Sequence, residues 1–239
     1  MTLASLKKDL NLYSNKEKAR NYARFFKTGK GEYGEGDRFI GVIVPIQRKI
    51  AKKYYQDLSL PETQKLISSP IHEHRLTALM ILTYQHPKST DIEKKRIVRF
   101  YLKNTKYINN WDLVDCSAHK IIGAWLLKHP EQKKVIYELA KSKNLWEKRI
   151  AIISTFAFIK KSQFDDALKI SMILLYDKHD LIHKAVGWML REVGKKNQAM
   201  EEEVLKRYCQ IMPRTMLRYA IEHFSEDKRK FYLQAKNIN

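Results

Sequence analysis

Five short helical segments of one design recur along the chain, and that repeat restricts the fold more than any other feature. Each carries a charged residue just before a small or apolar run: Arg75-Leu-Thr-Ala, Asp115-Cys-Ser-Ala, Arg149-Ile-Ala-Ile, Lys184-Ala-Val-Gly and Arg218-Tyr-Ala-Ile. Successive steps are 40, 34, 35 and 34 residues. Second helical stretches, such as 130–141 and 165–175, lie between them. One helix pair cannot bury its apolar side alone, so two helices per unit at this period predict pairs stacked on their neighbours, an all-α solenoid superhelix.

A period of 35–40 residues suits repeats of the HEAT or armadillo kind. Apolar residues at helical spacing support it: Leu76, Leu79, Met80 and Thr83 within 74–85, and Ile182, Ala185, Val186, Met189 and Val193 within 181–193. Only 8 Gly and 6 Pro are present in 239 residues, about half the usual ~12% share, which argues against the many turns of an all-β fold. Several prolines sit where a helix can begin. No linker divides the chain, so residues 1–239 read as a single domain. The apolar runs, such as 121–127, are far shorter than the ~20 residues of a membrane span, and no signal peptide is visible. Two cysteines cannot build a disulfide framework, so a reducing cytoplasm is expected.

Lys and Arg number 46 against 26 Asp and Glu, a formal charge of +20. Such a surplus favours a polyanionic partner. A stacked-helix body has a concave face, and a cation repeated at one position of each unit would make that face a basic groove, a cradle for a nucleic-acid duplex.

Several motifs resolve to ordinary structure. Residues 29–34 match G-x-G-x-x-G, but a helical stretch rather than a strand precedes them, so a loop between helices is expected. His179 and His183 have metal-ligand spacing, yet no third ligand accompanies them, and capping near Asp180 accounts for the pattern; no metal is expected. Cys116 has no partner base and reads as a packed side chain.

Two places stand out. On a helical wheel of 181–195, Lys184, Trp188, Arg191 and Lys195 form a stripe opposite the apolar face. An aromatic among cations suits a nucleic-acid backbone; the alternative is a surface Trp packed on a neighbouring helix. At 109–115, an Asn can cap a helix whose apolar face comprises Leu113, Val114, Ser117, Ile121 and Trp125. Trp111 and Asp115 lie one turn apart at its margin. Asp115 is then either a functional carboxylate or an acid paired with Arg149 or a Lys.

These residues resemble the AlkD-like DNA alkylation repair family. The matching stretches are Trp111-Asp112-x-Val114-Asp115, Lys148-Arg149-x-Ala151-Ile152 and Lys184-Ala185-x-Gly187-Trp188-x-Leu190-Arg191-Glu192, with Phe39-x-Gly41-Val42-x-x-Pro45-x-x-Arg48 before and Pro213-Arg214-x-Met216-Leu217-Arg218-Tyr219-Ala220 after. They fall in order across residues 20–224. The resemblance implies a HEAT-like glycosylase that excises cationic alkylated purines of the 3-methyladenine and 7-methylguanine class from double-stranded DNA. Asp115 would be the catalytic carboxylate, Trp111 and Trp188 the rings flanking the lesion nucleotide, and Arg149 a holder of the backbone. Lys184, Arg191, Lys195 and Arg218 would bind DNA. No cofactor is implied, and a cytoplasmic, nucleoid-associated monomer with no membrane partner is expected. A non-catalytic binder of damaged or branched DNA and a protein-binding scaffold are the competing readings. The loop at 28–37 is longer than in compact members: it either meets DNA through Lys30 and Arg38 or covers a helix end.

Overall fold

The computed structural model describes residues 2–234; Met1 and residues 235–239 of the single-domain reading lie outside the described residues. Among the described residues there is no β-strand, only an isolated parallel bridge between Arg38 and Ile71. The chain divides after Ile121 into two compact units. The division falls within the π-helical stretch His119–Gly123, not in a Gly/Pro-rich linker.

The first unit holds α1 (Leu3–Leu12), α2 (Lys16–Phe25), α3 (Val44–Tyr54), α4 (Leu60–Ile67), α5 (His72–Gln85), α6 (Asp91–Lys103) and α7 (Trp111–Ala118). The second holds α8 (Ala124–Lys128), α9 (Lys134–Ala140), α10 (Leu145–Ser154), α11 (Phe156–Ile159), α12 (Asp165–Ile173), α13 (Asp180–Gly194), α14 (Gln198–Tyr208), α15 (Arg214–Ala220) and α16 (Glu226–Gln234). Local chemistry sets many of the starts. Thr2, Ser59 and Thr90 build capping boxes, and Asn15, Asn110, Asn144 and Asn197 cap with their side-chain oxygens. Pro45 and Pro61 occupy first turns, where a missing N–H costs nothing.

The charged positions of the sequence repeat fall on α5, α7, α10, α13 and α15. Within each unit these helices pack on one another: α5 on α7, α10 on α13, and α13 on α15. The intervening helices flank them, α9 on α10, and α12 and α14 on α13. This is the repeat the spacing predicts. One expectation needs correction. The stripe Leu76, Leu79, Met80 and Thr83 suggests a helix with one apolar side, but α5 is buried all round from His72 to Thr83, because α3, α4 and α7 all pack on it. Its charged head is therefore buried as well.

Gly187 permits the approach of α13 to α15. A Cβ there would lie 2.4 Å from the Met216 carbonyl oxygen and 2.5 Å from the Tyr219 Cβ. Gly187→Ala is expected to force the helices apart and cost about 1–3 kcal/mol. A urea unfolding curve checks this; an unshifted midpoint would contradict it.

Candidate functional site

In the first unit the site is built from the start of α7. The Asn110 side-chain oxygen accepts from the Trp111 N–H at 2.8 Å, and Leu113, Val114 and Ser117 are fully buried. That leaves Trp111 and Asp115, a turn apart, half-buried together at the helix margin as the spacing predicts. Ile121 and Trp125 are also buried, but through the widened π turn rather than one continuous helix. Burial pushes the Cys116 thiol up to about 12, so it is no nucleophile at neutral pH.

Trp111 is engaged more closely than expected. Phe26 stacks on it with centroids 5.3 Å apart and planes 20° apart, and Phe25 meets it edge-on at 6.0 Å. One indole face is thus occupied by the protein, and any ligand stacking is left to the other.

A buried charge network fixes this helix start. Asp37 accepts from His72 Nδ1 at 2.8 Å, from Arg75 Nη2 at 2.6 Å and from Asn110 Nδ2 at 3.4 Å. The other His72 nitrogen, Nε2, lies 2.8 Å from Asp112 Oδ2. Burial disfavours a charged His72, but the Asp112 charge and the hydrogen bonds to Asp112 and Asp37 outweigh it and raise its pKa to about 9. His72 therefore donates from both nitrogens and joins the loop before α3, the head of α5 and the first turn of α7. Glu73, equally buried, accepts from the backbone N–H groups of Ile40, Gly41 and Val42. The sequence reading missed this network. Its signal was the run His72-Glu73-His74-Arg75 heading an apolar helix.

The Gly-rich loop belongs to the same frame. The Thr28 N–H donates to the Ala23 carbonyl and the Gly34 N–H to the Lys27 carbonyl, closing the loop over the end of α2. A Cβ on Gly34 would lie 2.3 Å from the Phe26 carbonyl oxygen, so only glycine fits. The loop covers a helix end and delivers Asp37 to the network, while Lys30 and Arg38 remain exposed.

In the second unit, α13 buries Ile182, Ala185, Val186, Met189, Leu190 and Val193. Lys184, Trp188, Arg191 and Lys195 fall on its other side, as the wheel predicts. Trp188 is half-buried and tilted against Phe156 at 5.7 Å, so it packs on a neighbouring helix while standing in the cationic stripe. Lys184 pairs with Asp180 at 2.7 Å, Lys195 with Glu192 at 2.8 Å, and Arg191 with Glu222 and Glu192. Arg218 is exposed on α15.

Arg149, expected to hold the DNA backbone, is a buried side chain of α10. It is 5% exposed, and Nη1 donates to the Leu181 carbonyl, tying α10 to the first turn of α13. Its neighbour Lys148 pairs with Asp177 at 2.6 Å in the turn before α13. The two histidines are structural. His179, rather than Asp180, caps α13 through Nδ1, and His183 Nε2 meets the Asp177 carbonyl. Among the described residues, no group of three or more His, Cys, Asp and Glu side chains is placed to hold a metal ion. Nor is any helix long and apolar enough to cross a membrane.

The sequence model of the family described as DNA alkylation repair enzyme matches residues 6–224. No curated protein matches the chain. Solved structures that share its fold include the following. A structure described as a predicted DNA alkylation repair enzyme from Enterococcus faecalis is 19% identical, with a TM-score of 0.70 over 89% of this chain and 97% of that one. AlkD2 from Streptococcus mutans is 21% identical, with a TM-score of 0.55 over 94% and 97%. The protein smu.31 from Streptococcus mutans UA159 is 21% identical, with a TM-score of 0.51 over 99% and 96%. With a family match across most of its length and a helical-repeat fold in common with these structures, the chain belongs to the family of DNA alkylation repair enzymes.

Proposed function

We propose that the protein is a monofunctional alkylpurine-DNA glycosylase that hydrolyses the N-glycosidic bond of cationic purines, the 3-methyladenine and 7-methylguanine class, in double-stranded DNA. The observation that carries this reading is the pairing of Trp111 with Asp115 on α7, held by the His72–Asp112 contact, in a chain of +20 charge. An N3- or N7-alkylated purine is already cationic, so it departs with the electron pair of the C1′–N bond as a neutral base and needs no general acid. The sugar left behind gains oxocarbenium character. The Asp115 carboxylate stabilises that charge and orients the water whose oxygen bonds to C1′, the water proton passing to the carboxylate and then to solvent. Indole faces at Trp111 and Trp188 attract the cationic nucleotide.

Lys184, Arg191, Lys195 and Arg218 take the DNA phosphates. The first three exchange local carboxylates for phosphate oxygens, at little cost because partly exposed pairs are worth only about 0–1 kcal/mol. Arg149 acts as a positioning residue that holds the start of α13, and with it the Trp188 stripe. The protein works as a monomer in the cytoplasm, associated with the nucleoid, and needs no cofactor.

This chemistry requires no Lys nucleophile, so the product is an intact strand with an abasic site. Methylated duplex DNA incubated with the protein is expected to break at purines only after alkali. Breaks before alkali would contradict the monofunctional assignment. DNA that is bound yet alkali-stable would leave the non-catalytic binder of damaged or branched DNA.

A further inference from the structure

A groove of about 710 Å³ lies in the second unit, between the turn joining α9 to α10 and the turn leading into α13. None of its lining residues is assigned to the glycosylase chemistry. Ala140 and Leu174 line it as buried apolar side chains, together with Lys141, Lys143, Lys148 and Lys178. These four lysines face a single carboxylate, Asp177. Burial holds the His179 imidazole below its ordinary 6.5, so the lining carries a net charge of +3 at neutral pH.

These lysines are available in a way that the α13 stripe is not. Lys184, Arg191 and Lys195 are each paired with a carboxylate. Lys141, Lys143 and Lys178 are exposed, and none forms a salt bridge among the described residues. Such a cation meets a phosphate without giving up a partner, and each contact releases a counterion. The same groove displays Tyr176, 74% exposed and without a ring contact among the described residues. A lone exposed aromatic is ordinary. A ring beside unpaired cations and apolar surface is instead a platform on which a base stacks while its backbone is held. Both turns are fixed in advance. The Asp177 carboxylate accepts from Lys148 Nζ at 2.6 Å and from the His179 N–H at 2.8 Å. The Ser142 hydroxyl donates to Glu147 at 2.5 Å and accepts from the Asn144 N–H at 3.0 Å. Little ordering is therefore left for binding to impose.

We propose that this groove binds an unpaired stretch of a DNA strand, with a base stacked on Tyr176 and the flanking phosphates on Lys141, Lys143 and Lys178. A duplex covers its base faces by stacking, so it offers the groove phosphates but no base. A net charge of +3 exceeds what one phosphate monoester balances, so the occupant is a strand rather than a free nucleotide. The inference does not rest on the proposed glycosylase function.

Fluorescence anisotropy of the full chain tests this with a labelled oligothymidine of about ten residues and a duplex of the same length, both at about 0.15 M salt. Tyr176→Ala is expected to weaken the single strand about tenfold and to leave duplex affinity within about twofold of the parent. Tyr176→Phe keeps the ring and is expected to bind as the parent does. Removing Lys141, Lys143 and Lys178 together, each to Ala, is expected to make the salt dependence of single-strand binding shallower by about two in logarithmic slope. A Tyr176→Ala protein that binds the strand as the parent does would overturn the proposal. So would an equal loss for strand and duplex, or an unchanged salt slope. Displacement of the strand by thymidine monophosphate at equal phosphate concentration would overturn the strand as the occupant. Release of methylated base from duplex DNA is expected at the parent's rate in Tyr176→Ala. A matching loss there would make the groove part of the duplex site and contradict the assignment, whereas a parent without any base release would remove the glycosylase and keep the groove.

Discussion

Asp115→Asn is expected to lower the rate of base release about a hundredfold or more while DNA affinity stays within about twofold of the parent. The substitution keeps the shape of the side chain and removes its negative charge. The positive charge it would stabilise develops on the sugar only as the C1′–N bond breaks, so the loss falls on the transition state and not on binding. Phosphate contacts dominate DNA affinity, and none is assigned to Asp115. Single-turnover release at saturating protein, with binding measured at the same salt, separates the two effects. A variant with the parent's rate would remove Asp115 from the chemistry.

Asp37→Ala is expected to produce the largest stability loss, about 3–5 kcal/mol, because it breaks a buried ion pair from one side. His72 and Arg75 both depend on Asp37, and the side chains of all three are under 5% exposed. The same network sets the pH response. Burial works against the Asp37 charge, but the His72 hydrogen bond and the Arg75 charge prevail and hold its carboxyl below the ordinary 3.8. Its contribution is present above that value and is lost as pH falls through the lower folded one. His72 is raised from 6.5 to about 9, so its contribution is complete below pH 6.5 and is lost as pH rises through about 9. Urea midpoints of the parent should therefore fall between pH 6.5 and 9.5, and this fall should be shallower in Asp37→Ala. A pH-independent midpoint across that window would contradict a charged His72.

The parts of the molecule that were legible in the sequence are those written in local spacing. The repeat placed Arg75 and Asp115 on two helices that pack together in the first unit, and Arg149, Lys184 and Arg218 on the packed helices α10, α13 and α15 of the second. A wheel drawn at 100° per residue separated the buried and cationic sides of α13, and an i, i+4 count paired Trp111 with Asp115. What was not legible depends on residues far apart in the chain. His72 meets Asp37 from 35 residues away and Asp112 from 40, and no periodicity encodes either contact. Arg149 has the composition of a surface cation, yet the approach of α10 to α13 buries it against the Leu181 carbonyl. Likewise, the Phe26 ring on Trp111 follows from how the end of α2 folds under the Gly-rich loop.

The most direct test of the central claim is chromatographic detection of free methylated base after the wild-type protein meets methylated duplex DNA, with the bound fraction followed in parallel. The expected result is release of 7-methylguanine or 3-methyladenine in step with protein added. Full occupancy of the DNA with no free base above the rate of spontaneous depurination would contradict the glycosylase.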